Sequence, residues 1–322
     1  MKRVLTFCVV AIGLLLPRAD AQTAPNAANA ALRYWMAFAV MRDPPADKAT
    51  ADLLEHVAEG NEAWDEAKLG PIVDDNRQAL AIMQRASTLA FCDWGLEYEL
   101  GSRTPIAHLA KARTLGRLSV IAGRRLQAQG QASQAVDMWL AGVRFSRHIA
   151  EGGSLISALS GRRVMELSLR AMHRDDVLKA LDASTKKRLE LFLRALPEDG
   201  LDWSAAMRRD AQSFEVTLRQ LQTAPDPKAY LAATLGGAPL PADFKMPTAA
   251  EIAVYHAYTD RVVLALALPL DQRSSKLREI EAGRAALHVL FRQYTPSALP
   301  LGNGWTEIAG RRQSLLEALT RS

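Results

Sequence analysis

Phe91-Cys92-Asp93-Trp94-Gly95 places a thiol, a carboxylate and an indole side by side, and His108 follows sixteen positions after the thiol. A cysteine nucleophile needs an imidazole to take its proton and a third group to orient that imidazole. Cys92 and His108 have the right types for that pair, but the placement of Cys92 opposes the chemistry. Cys92 is expected at the C-terminal end of a helix, where the dipole disfavours a thiolate, and Asp93 beside it pushes the thiol pKa the same way. A lone cysteine more often packs as a small hydrophobe. The segment therefore reads as a bend that buries Trp94, with Asp93 expected to pair with an arginine of the helices that follow.

A second constellation is Glu166 and His173, seven apart on one helical face, with Arg162, Arg163 and Arg170 close by. A carboxylate there could serve as a general acid or base, but among apolar neighbours it reads better as an ion pair fixing helix register. Tyr255 and Tyr258, with His256 and Asp260, would line a groove or simply pack. None of the six histidines falls in a metal-ligand spacing, so no metal is expected. No glycine-rich phosphate loop and no Gly-x-Ser-x-Gly is present, and no cofactor is implied.

Lys2 and Arg3 precede an apolar run, Val4 to Leu16, broken by Pro17 and followed by Ala19-Asp20-Ala21. That is the pattern of a Sec-type export signal cleaved between Ala21 and Gln22, and the run is too short to span a bilayer, which needs about 20 residues. No later apolar run is long enough to span. The expected location is extracytoplasmic, periplasmic or secreted, and a nucleic-acid partner is excluded on compartment grounds. Beyond the signal the only cysteine is Cys92, so no internal disulfide can hold the fold and the core must do so.

Charge is segregated. Residues 43–99 carry 13 acids against 4 Lys/Arg, whereas residues 100–174 carry 12 Lys/Arg against 3 acids. Either the acidic helices lie on the basic ones, or the basic block is an anion-binding face. Arg113, Arg117 and Arg124, at spacings of four and seven, would share one stripe of it.

Hydrophobic spacing is helical nearly throughout, and the expected class is all-α: stacked antiparallel helix pairs, solenoid-like or an irregular bundle. The expected helices are Ala28–Met41, Thr50–Glu59, Ile72–Cys92, Thr104–Gln129, Ala132–Ala150, Ser154–His173, Ser184–Leu196, Asp202–Leu221, Thr248–Leu268, Gln272–Tyr294 and Trp305–Arg321. Gly70-Pro71 and Gly95 mark breaks, and Thr104-Pro105 reads as an N-cap followed by a first-turn proline. Residues 22–221 form the helical array, and 248–322 a helical hairpin packed on it. Residues 222–247, with five prolines and Gly236-Gly237, read as a linker or flap holding a short helix at Lys228–Leu235.

The run GRRLQAQGQASQAVDMWLAGVRFSRHI resembles one tetratricopeptide unit, about residues 116–149. Gly123, Leu126, Gly130, Ala135, Trp139 and Gly142 fall where that family keeps small and aromatic residues, and Arg147 stands where it favours proline. No second unit follows at a 34-residue offset. The order of CDWG, a Thr-Pro helix start, this helix pair and LISAL is also similar to an uncharacterised family of exported all-helical bacterial proteins. That resemblance implies the fold and the export, and no activity.

The expected function is a binding or scaffold role through an inter-helix groove, toward a protein, a peptide or an envelope component. Its candidate residues are Asp93, Trp94, His108, Arg113, Arg117, Glu166, Arg170 and His173. The alternatives are a hydrolase or transferase using Glu166 or Asp93, and a peripheral envelope-binding protein using the basic 100–174 block.

Overall fold

Short polar side chains open many of the helices. Asn29 accepts from the Ala31 amide (3.0 Å) at the head of α1, Ala30–Val40. Asp47 caps α2, Lys48–Glu59, through Thr50 N (2.8 Å), and Asp65 caps α3, Glu66–Asp75. Asp182 and Asp202 cap α9, Ala183–Ala195, and α10, Trp203–Thr223. Thr248 and Glu251 form a reciprocal capping box on α12, Ala249–Leu266. Each such cap satisfies an otherwise orphaned amide and contributes about 1 kcal/mol.

The computed structural model describes residues 28–151, 153–234, 244–295 and 297–321. The expected export signal at 1–21 and residues 235–243 of the expected flap lie outside the described residues. Among the described residues every regular element is a helix, so the fold is all-α.

At the centre are α5 (His108–Ala128), α6 (Ala132–Glu151) and α7 (Leu155–Met172). A three-residue turn at Gln129–Gln131 reverses the chain between α5 and α6, with Gly130 at φ +76. Close approach is built in. A Cβ on Gly123 would overlap the Trp139 indole, and one on Gly161 would meet the Ser146 carbonyl. α1 and α4 (Arg77–Ala86) pack together on this trio, α2 and α3 lie on α5, and α10 lies on α7. α12 packs on α10 and on α13 (Leu270–Glu281), while α15 (Ala298–Arg321) packs on α7, α9 and α13. Buried apolar residues from Ala30 to Leu315 form one continuous cluster.

Several boundaries differ from expectation. Ile72–Cys92 is not one helix. Asn76 breaks it, because its side chain bonds both the N–H and the C=O of Arg42 (2.9 and 3.0 Å), 34 positions away. Gly70-Pro71 is no break: both lie inside α3. α4 ends at Ala86, where the Ser87 and Thr88 hydroxyls donate to the Gln84 and Arg85 carbonyls, well before Gly95. Thr104 does not cap α5. Its hydroxyl donates to the Glu97 and Gly101 carbonyls (2.8 Å each), closing a 3₁₀ turn at Tyr98–Arg103, and α5 begins at His108.

A short helix, α8 (Asp175–Ala180), was not anticipated. Gln272–Tyr294 divides into the end of α13, a 3₁₀ turn at Arg284–Ala286 and α14 (Val289–Tyr294). The described part of 222–247 holds α11, Pro227–Thr234, which buries Leu231 and seats Tyr230 against Arg103 and Gln220.

Candidate functional site

Trp94 and His108 come together as core. Their rings stack at 4.3 Å, and Trp94 Nε1 donates to the His148 carbonyl (2.8 Å). His108 is fully buried with no partner for either ring nitrogen, and burial lowers its pKa to about 4, so the imidazole is neutral. Cys92 is buried near Glu151, and burial, Glu151 and Asp93 all push its thiol pKa up. Asp93 is not paired with an arginine among the described residues. It is exposed, its carboxylate accepts from the Gly95 amide (3.0 Å), and its backbone is clasped by Asn29.

Glu166 and Arg170 also meet. Buried Glu166 lies 3.2 Å from Arg170, 3.5 Å from Arg163 and 3.8 Å from Arg311. Arg163 reaches on to Glu55 and Glu59 of α2 (2.5 Å each), and Arg117 meets Glu55 at 3.1 Å. Lys111 meets Asp43, and Arg125 holds both Glu66 and Asp74. The acidic and basic blocks therefore face each other, and much of the basic block is paired. Arg113 is exposed, and half-buried His173 closes α7 away from this network. Among the described residues no three potential metal ligands gather, and no helix is long and apolar enough to cross a membrane.

The most distinctive polar cavity lies elsewhere. It holds about 220 Å³ and is bounded by the Leu96–Ile106 segment, the start of α7, one face of α10, Tyr255 of α12 and Thr295. Seven of its lining side chains carry hydroxyls: Tyr98, Ser102, Thr104, Ser154, Ser213, Tyr255 and Thr295. Ser154 stands at the N-cap of α7 but does not cap it, and its buried Oγ has no partner. Thr295, 3% exposed, has its hydroxyl beside the Tyr255 phenol without a well-formed hydrogen bond.

Asp210 stands among these groups. Burial pushes its carboxyl pKa up, while the Leu155 amide at the head of α7 pulls it down. Burial and Asp210 together raise Tyr255. Arg209, at the rim, donates to the Glu151 carbonyl.

The lining offers hydrogen-bond donors and acceptors around a single carboxyl. The described lining has one carboxyl and no histidine. Glycoside hydrolysis needs two carboxyls, and a serine nucleophile needs a base within hydrogen-bond reach. Of the residues singled out from sequence, Tyr255 reaches this cavity and the eight candidates do not. Asp210 was missed, although a signal existed. It follows Trp203 by seven and precedes Phe214 by four, an acid on the apolar stripe of α10. No protein-family model matches the chain, and neither a curated protein nor a solved structure is similar to it.

Proposed function

We propose that the chain is an exported helical binding protein whose ligand seat is the cavity around Asp210. The observation that carries this reading is that the buried Ser154 hydroxyl stands without a partner, and that of Thr295 without a well-formed hydrogen bond, in an open space that the Asp210 carboxyl also lines. Buried polar groups are otherwise nearly always satisfied, and a ligand that donates to Asp210 and accepts from the hydroxyls would satisfy these. The volume lies below the roughly 300–1,000 Å³ of drug-sized sites. It suits one ring of a saccharide, with Tyr98, Phe214 and Tyr255 offering aromatic surface. Export rests on the Lys2–Ala21 pattern, and the tetratricopeptide-like reading of the α5–α6 pair draws support from the close Gly123–Trp139 contact.

The test is calorimetric titration with a panel of neutral monosaccharides, including N-acetylated ones. Binding by wild type, lost in Asp210→Ala and in the cavity-filling Ser213→Trp, is the expected result. A silent panel, or binding that survives Ser213→Trp, refutes it. Mass spectrometry of the envelope-derived protein tests export, with Gln22 expected as the first residue.

A further inference from the structure

Among the described residues two arginines are buried below a tenth exposure, Arg124 (6%) and Arg273 (7%), and they are treated differently. Arg273 donates to the buried Asp199 carboxylate at 2.5 Å and twice to the Leu268 carbonyl. Arg124 has no carboxylate within 4.0 Å among the described residues. Its one hydrogen bond is a long one, 3.3 Å, to the Gln127 side chain, and its Nε is buried without a partner. Asp176, the acid whose charge acts on Arg124, is occupied by Arg174 (3.1 Å) and by Gln127 (2.5 Å). Glu62, also on the cavity wall, is exposed and faces His56. The Trp139 face, 5.9 Å away, gives only a weak cation–π contact.

Like charge is gathered rather than dispersed here. A Cβ at Gly60 would lie 2.6 Å from Arg124 Nη2 and 3.4 Å from Arg174 Nη1, so both guanidinium groups border one point. Burial first, then the neighbouring Arg174 and Arg170, push the Arg124 pKa down to about 10 against an opposing pull from Asp176. The C-terminal turn of α2 ends at Gly60 and offsets part of this charge, but its His56 and Val57 carbonyls already accept from Asn61 and Gly60. The two arginines open into a cavity of about 360 Å³ whose wall includes Trp64 and Val177. An unpaired buried charge is among the costliest features a fold can hold, and guanidinium forks fit oxyanions bidentately.

We infer that Arg124 and Arg174 form an oxyanion site that takes a phosphate group, independent of the Asp210 cavity. Its source is either free phosphate or the phosphate of an envelope lipid.

Calorimetric titration of the purified protein with inorganic phosphate, against chloride at matched ionic strength, tests it. Wild type is expected to bind and to gain thermal stability. Arg174→Gln, at a half-exposed position whose ion pair with Asp176 is exposed to water, should weaken binding about tenfold or more while the fold, checked by circular dichroism, is kept. Arg124→Met should abolish binding and raise Tm in phosphate-free buffer, because the unpaired charge is gone; a purely structural arginine would lower Tm instead. Vesicles of phosphatidylglycerol separate the sources: capture that phosphate competes away assigns a lipid headgroup, and no capture assigns free phosphate. Absence of phosphate binding in wild type, or equal binding by Arg174→Gln, overturns the site.

Discussion

Tyr34 and His148, 114 positions apart, share a 2.7 Å hydrogen bond between phenol and imidazole Nδ1 in the core. Burial raises the phenol pKa and lowers that of the imidazole to about 4, so the bond joins two uncharged rings. The same holds for neutral His108 under Trp94.

These two histidines set an acid limit. Both have folded pKa values below the unfolded value of about 6.5, so the unfolded chain binds more protons in between. Stability is full above about pH 6.5, falls as pH drops, and reaches its loss as pH passes about 4, on the order of 3 kcal/mol per histidine. Urea midpoints at pH 7 and pH 5 measure this. His108→Phe keeps the stack and should remove one share, with little or no loss at pH 7.

Asp210→Asn should stabilise the empty protein at neutral pH. A carboxyl whose folded pKa is raised contributes stability below its unfolded pKa and loses it as pH rises through the folded one. The variant should also bind ligand more weakly. Paired Tm and titration data check both signs.

Glu166→Ala leaves Arg163, Arg170 and Arg311 facing one another. Breaking a fully buried pair costs about 3–5 kcal/mol. These arginines keep some water contact, so about 2–3 kcal/mol is expected in denaturant titration.

Gly123→Ala drives a methyl into the Trp139 indole, whose Nε1 donates to the Val120 carbonyl (3.0 Å). Overpacking of this kind costs about 1–3 kcal/mol. Trp139 fluorescence should shift in step with the loss of stability.

Cys92 should resist thiol reagents in the native state and react only when α1 lifts, since it is buried against the head of that helix near Ala31. Tyr34→Phe removes about 1 kcal/mol of docking, so labelling should run about fivefold faster.

The all-α class, the end of α5 and the bounds of α6 and α7 were legible because local signals decide them: Gly130 turns the chain, and Ser154 marks the start of α7. Ile72–Cys92 was misjudged because Asn76 answers to Arg42, a partner no local window contains. Thr104-Pro105 misled because the hydroxyl went to carbonyls behind it rather than to amides ahead. The Asp210 cavity gathers side chains from Leu96 to Thr295, so no spacing rule could assemble it. An arginine stripe was visible, but that Arg124 is the member buried without an acid could only be seen in three dimensions.

The α5–α6–α7 trio is contiguous in the chain, whereas α1 rests on α4 and reaches α6 through Tyr34. Contacts close in sequence form early and distant ones late. By that rule α1, the first described helix, should be seated among the last, with Tyr34 and Phe38 uncovered while the centre assembles. Substitutions at Gly142 should slow folding, and those at Tyr34 should chiefly hasten unfolding. In time, the N-terminal helix is a latch that closes on a finished body.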